Sequence, residues 1–237
     1  MNKLAIFVEG QTEQIFVEKL VRYLGSDHNM SIQVQRLGGG SKNRPRTIIE
    51  ISGTSEVANQ DYFILIMDCG QDERVKSDIV ERYNGLMTSG YRIIIGVRDV
   101  YPIPRNAIQR LREGLAFRLP TSPVIPLFVL GIMEIETWFL AEHTHFLHIH
   151  PSLTVDRIQQ NFGFNPSIDD MQLRACPSKD LEDIYFLEYI YYDKNRECIE
   201  RTVNFLDFGI MIKQIALSIN DLGTLVNTIQ GFFQHSI

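Results

Sequence analysis

Cysteine is scarce in this chain: three copies in 237 residues, Cys69, Cys176 and Cys198, stand far apart. An odd number without close spacing builds neither a disulfide framework nor a thiolate zinc site, and suits a reducing compartment. A membrane-length apolar run is also lacking. The longest stretches, such as Val124 to Met133, contain Pro126 and fall well short of a span. The opening Met1 to Val8 is too brief for a secretory signal and meets Glu9 at once. A cytoplasmic protein with no membrane association is therefore expected. Basic charge is the third deficit, with 23 Lys and Arg against 29 Asp and Glu and a net charge of −6. This disfavours a surface coated for nucleic acid, although acids committed to a metal and a local basic face are compatible with it.

What is present is a foldable interior. Hydrophobic residues at 44% and charged residues at 22% predict a packed core rather than disorder. Apolar runs at Leu4 to Val8, Ile32 to Leu37, Tyr62 to Met67, Arg92 to Val97 and Val124 to Leu130 read as strands. They are rich in Ile, Val, Phe and Tyr without strict alternation, as strands buried on both faces are. Between them, Phe16, Val17, Leu20, Val21 and Leu24 form one helical stripe, with Thr12 placed to cap it and Gly25 to end it. Helices are also predicted over Arg74 to Met87 and Arg105 to Phe117. After about Glu142, helical patterns cover Thr154 to Phe162, Leu181 to Tyr192, Arg201 to Asn220 and Leu222 to Phe233. The expected architecture is an α/β domain over 1–145, with a mainly parallel sheet flanked by helices, and a C-terminal helical appendage over 146–237.

Acids recur where strands end. Phe7-Val8-Glu9-Gly10-Gln11-Thr12-Glu13 runs from strand through turn to helix, which places Glu9 at the sheet edge where α/β proteins bind ligands. Two carboxylates with waters suit Mg2+ or Mn2+; equally, Glu13 can favour the helix dipole while Glu9 stays a solvated charge. Asp68 ends the third apolar run, and Asp99 follows Ile93 to Val97, as a ligand or as part of a turn before Pro102. After the last strand come Glu134 and Glu136, leading into Trp138, Phe139 and Leu140. The two share a face if the backbone is extended and diverge if it is helical.

Val8-Glu9-Gly10-Gln11-Thr12-Glu13 resembles the opening motif of Toprim domains, in particular those of OLD-family (overcoming lysogenisation defect) nucleases and related prokaryotic proteins. The resemblance covers roughly the first 140 residues. It implies a compact α/β fold in which a Glu after the first strand and an Asp-x-Asp after a later one bind Mg2+ for nucleic-acid cleavage. Asp68-Cys69-Gly70 stands where the Asp-x-Asp would fall, with Gly70 in place of the second acid. Asp72, the next acid, is read as a helix cap. The Glu136–Trp138 segment is similar to a subgroup of Toprim-like proteins, and a downstream lysine of OLD-type nucleases would correspond to Lys179, which by its spacing reads equally as a surface lysine at a helix start. Phage defence is a further implication of the family.

Lys42, Arg44 and Arg46 lie in a glycine-rich loop without P-loop spacing, and are read as nucleic-acid backbone contacts or as an exposed flexible loop. Arg105, Arg110, Arg112 and Arg118 offer a second basic face. His143, His145, His148 and His150 lack a zinc pattern and are read as structural or surface residues. The expectation is a Toprim-like nuclease with Glu9, Asp68 and Lys179 catalytic, and Glu9, Glu13, Asp68, Asp99 and Glu136 around Mg2+ or Mn2+. A homo-oligomer or a protein partner is compatible with it. A non-catalytic Toprim-like module binding nucleic acid, nucleotide or protein is the rival reading, favoured by Gly70. Hydrolysis of a small phosphorylated metabolite is a third.

Overall fold

The structure, a computed structural model, describes residues 1–39, 46–53, 59–71 and 73–234. Six strands form one sheet: β1 (Asn2–Val8), β2 (Met30–Gly38), β3 (Thr47–Gly53), β4 (Tyr62–Asp68), β5 (Tyr91–Asp99) and β6 (Leu127–Gly131). Their order is β3-β2-β4-β1-β5-β6, with β1 parallel to both β4 and β5, and β2 parallel to β4. This is the expected α/β architecture of a mostly parallel sheet flanked by helices. Every residue of β4 is buried, which is why its sequence shows no alternation.

The sequence reading placed no strand at β3, which pairs antiparallel to β2 at the sheet edge. Its side chains are largely exposed, so the burial that marks the other strands is missing. Glu50 on β3 accepts from Gln33 (3.0 Å) and Gln35 (2.7 Å), and such a charge guards an open edge against further pairing.

Helix α1 (Gln11–Leu24) begins two residues earlier than Thr12 would cap it. Gly10 is its N-cap, and Thr12 is buried inside the first turn. The chain then runs through α2 (Arg74–Thr88) and α3 (Ile108–Ala116), the latter preceded by a single 3-10 turn at Arg105–Ala107. Beyond β6 come α4 (Glu136–Ala141), α5 (His145–Ile149), α6 (Val155–Phe162), α7 (Pro177–Phe186) and α8 (Arg196–Phe205), and Asn220–Gln234 is the last helix. The single helix expected over Arg201 to Asn220 is broken. Asp207 accepts from Ile210 N–H (3.0 Å) and starts a new turn, followed by π-helical Met211–Ile215.

Two compact units result. One comprises 1–98, 109–129 and 227–237; the other comprises 99–108 and 130–226. Residue 145, the expected boundary, falls inside the second unit, and the end of the last helix belongs to the first. There, Tyr62 donates to the carbonyl of Phe233 (2.7 Å) and His28 stacks on the Phe233 ring at 4.9 Å. In the first unit Val75 and Ile79 of α2 pack in one cluster with Phe7, Leu65 and Met67. The second unit buries Trp138, Phe139, Leu140, Phe146, Leu181, Ile184, Tyr185 and Ile199 completely. Among the described residues, no helix is long and apolar enough to cross a membrane.

Candidate active site

In the first unit, parallel pairing sets Val8 of β1 level with Asp68 of β4, so Glu9 lies one residue beyond the strand end. The Asp68 carboxylate is buried and answered on both oxygens. Arg36 Nε donates to Oδ2 at 2.6 Å, and Gly70 N–H donates to Oδ1 at 2.8 Å. Gly70 adopts φ +74°, the left-handed conformation that suits glycine and turns its amide back onto Asp68. The missing second acid is thus the residue that closes the first one off. Glu13 reaches back to Gly10 N–H (3.0 Å), the glutamate half of a capping box, and serves the helix start. Asp78 of α2, buried, pairs with Arg46 and lies 3.8 Å from Arg74. Burial, reinforced by Asp78, pushes the Cys69 thiol far above its usual range.

Arg46, expected on nucleic acid, is instead committed within this unit. Besides Asp78, its guanidinium donates to the Leu37 carbonyl at 3.3 Å. Lys42, Arg44 and Asp72 lie outside the described residues.

The second unit assembles a different cluster. Val100 and Tyr101 N–H donate to the carbonyls of Gly131 (2.9 Å) and Met133 (2.7 Å), which ties the chain after β5 to the chain after β6. Glycine is needed at 131: a Cβ there would stand 2.5 Å from Asp99 Oδ1 and 2.8 Å from Ile135 N. Met133 then takes φ +64°, rare for a side chain of this size, and the chain enters α4 at Glu136. Because of this turn, Glu134 and Glu136 meet although the backbone between them is neither strand nor regular helix. Lys194 Nζ lies 3.2 Å from Glu134 Oε1 and 3.1 Å from Glu136 Oε1. Lys194 itself has φ +55°, so two strained residues flank one cluster.

The two glutamates are held differently. Ser178, in the first turn of α7, donates both its N–H and its hydroxyl to Glu134, each at 2.8 Å. Tyr192 donates its hydroxyl to Glu136 Oε1 at 3.0 Å. Glu136 is fully buried, and its Oε2 has no hydrogen-bond partner among the described residues. Burial raises its pKa above the ordinary carboxylate value; Lys194 counters the shift and Glu134 adds to it. For Lys194, desolvation works against the charge, but Glu136, Glu134 and then Asp99 outweigh it and hold the ammonium above its usual range.

The expected ligands are divided between the two units. Glu9, Glu13 and Asp68 belong to the first unit, Asp99 and Glu136 to the second. Among the described residues no three His, Cys, Asp or Glu side chains are grouped to hold a metal ion. The lysine at the acids is Lys194, not Lys179, whose ammonium sits 3.0 Å from Glu182 and 2.9 Å from Asp183 on its own helix. Arg105 donates to the backbone carbonyls of Gln172 (2.9 Å) and Arg174, a structural tie. His145 is buried against the carbonyl of Glu142, and His148 stacks on Phe205 at 6.1 Å.

Ser178, Tyr192 and Lys194 were missed in the sequence. They stand 44 to 60 residues from the glutamates they touch, and no spacing rule links them. The Glu-x-Glu pair before Trp138 was the one visible signal. No family model, curated protein or solved structure matches this chain.

Proposed function

We propose that this chain hydrolyses phosphodiester bonds of nucleic acid with a divalent cation, Mg2+ or Mn2+, at the Glu134–Glu136–Lys194 cluster. The observation that carries this reading is the fully buried Glu136, with Oε2 unpartnered and its pKa raised by burial. An unsatisfied buried polar atom costs about 1–3 kcal/mol, more when charged, and such groups concentrate where a ligand relieves them. Two carboxylates are a fitting donor set for a hard cation that completes its shell with water and substrate phosphate oxygens. Glu134 and Glu136 would hold it. When bound, the cation supplies positive charge against the phosphate and acidifies a coordinated water.

The other roles belong to the chain's own side chains. Tyr192 fixes Glu136 by Oε1 and so leaves Oε2 available. Ser178 anchors Glu134 at the N-terminal turn of α7, where the helix dipole favours its negative charge. Lys194 offsets the two carboxylates at rest, and its ammonium stands where charge accumulating on a phosphate needs support. The resemblance of the Glu9 motif to Toprim domains supports nucleic acid as the polymer. In the first unit Asp68 and Asp78, each paired with an arginine, favour a structural role.

The test is cleavage of DNA and RNA, single-stranded and duplex, by purified protein with Mn2+ or Mg2+. We expect cleavage that stops with a chelator and falls on the order of 100-fold in Glu136→Gln. Polymers left intact by stoichiometric protein would overturn the proposal.

A further inference from the structure

Between α7 and α8 the chain sorts its aromatic residues in two directions. Tyr185 and Tyr192 are buried, while Phe186, Tyr189 and Tyr191 are 47%, 79% and 63% exposed. A tight turn fixes the outward set: Tyr189 N–H donates to the Phe186 carbonyl (3.0 Å), and Ile190 N–H to that of Tyr185 (3.2 Å). Tyr189 adopts φ +56°, a costly conformation for an aromatic residue that stays largely in solvent. The Phe186 ring meets Tyr189 and Tyr191 at centroid distances of 5.8 Å each, with planes inclined by 69° and 56°. Because the rings meet at an angle, broad faces of Tyr189 and Tyr191 stay open.

We propose that Phe186, Tyr189 and Tyr191 form a stacking platform for unpaired bases, making single-stranded nucleic acid the substrate class of the adjacent acid cluster; this rests on the nuclease reading above. Continuity in the chain carries it. Tyr191 precedes Tyr192, whose hydroxyl holds Glu136, and stands three residues before Lys194. Three residues reach at most about 11 Å, a few nucleotides of strand. Stacking on aromatic rings tolerates any base but needs an unstacked one, which a duplex does not offer.

Carboxylates near the platform are paired in part. Glu182 and Asp183 share Lys179, and Glu188 pairs with Arg157. The Arg201 guanidinium donates to the Tyr191 carbonyl, which leaves its positive charge beside the platform.

The experiment measures binding of a fluorescein-labelled single-stranded oligonucleotide, and of the same strand annealed to its complement, to the full chain. Glu136→Gln is used as the parent so that cleavage does not interfere. We expect the single strand to bind at least about ten-fold more tightly than the duplex. Tyr189→Ala and Tyr191→Ala should each weaken binding roughly five- to a hundred-fold, while Tyr189→Phe and Tyr191→Phe retain it. Alanine variants that bind like the parent, with cleavage by the unaltered protein intact, would overturn the platform and leave the acid cluster's chemistry standing. A dimer that Tyr191→Ala dissolves without changing oligonucleotide affinity would assign the patch to a second copy and likewise overturn it. Neither binding nor cleavage of any polymer would remove both proposals.

Discussion

The two units each bury an acid near a strand end, Asp68 and Glu136, and hold the two in opposite ways. In the first, Asp68 has both oxygens answered, by Arg36 and by the amide of Gly70. In the second, Glu136 is equally buried but keeps one oxygen without a partner. In sequence both read as acids terminating apolar runs. Their difference lies in what the rest of the chain supplies: an arginine in register on the neighbouring strand, or a lysine shared between two carboxylates. A carboxylate whose hydrogen bonds are complete is a structural element. One held by a single oxygen is available for chemistry.

The largest effect should separate the two carboxylates by activity. Glu136→Gln should lower Mn2+-dependent cleavage on the order of 100-fold, whereas Asp68→Asn, if it stays folded, should retain most of it. Equal losses in folded proteins, compared in one cleavage assay, would erase the contrast. Next is stability. Arg36→Ala leaves Asp68 buried without its cation, and urea unfolding should show a loss of about 2–3 kcal/mol, tempered by the partial exposure of Arg36.

Two glycines sharpen the comparison further. Gly131→Ala forces a Cβ onto Asp99 and the Ile135 amide, and should cost about 2 kcal/mol along with activity. Gly70→Ala meets nothing closer than the Leu37 carbonyl at 3.7 Å, so only its positive φ is penalised, by about 1 kcal/mol.

The smallest effect is a pH dependence. The folded state binds the Glu136 proton more tightly than the unfolded state, so this group's contribution is present at low pH. It is lost as pH rises from the ordinary carboxylate value of 4.5 through the raised one. Thermal melts across that range should show Glu136→Gln gaining on the unaltered protein as pH increases. A constant gap would contradict the raised pKa.

Much of the scaffold was legible because burial leaves a compositional trace. β1, β4 and β5 were found within a few residues as continuous apolar runs, and Gly25 and Thr154 were seen at the ends of α1 and α6. β3 was not found, since an exposed edge strand carries no such trace. The end of the last helix joins the first unit through Phe233, a contact made across 171 residues that no local pattern announces. At the site, Glu136 was visible as a strand-end acid. Glu136 was preferred to Glu134 for its place beside Trp138; the left-handed turn at Met133, which brings Glu134 alongside, leaves no mark in the sequence. Lys179 looked like the lysine to choose, yet its helix turns it toward Glu182 and Asp183. Lys194 follows no motif and is identified only by where its ammonium lies.

The most direct test is a titration with Mn2+ of the unaltered protein, Glu136→Gln and Asp68→Asn, read by calorimetry or by the spin signal of free Mn2+. We expect saturable binding in the unaltered protein and in Asp68→Asn, and its loss in Glu136→Gln. Binding that survives in Glu136→Gln and disappears in a folded Asp68→Asn would place the cation in the first unit and contradict the account.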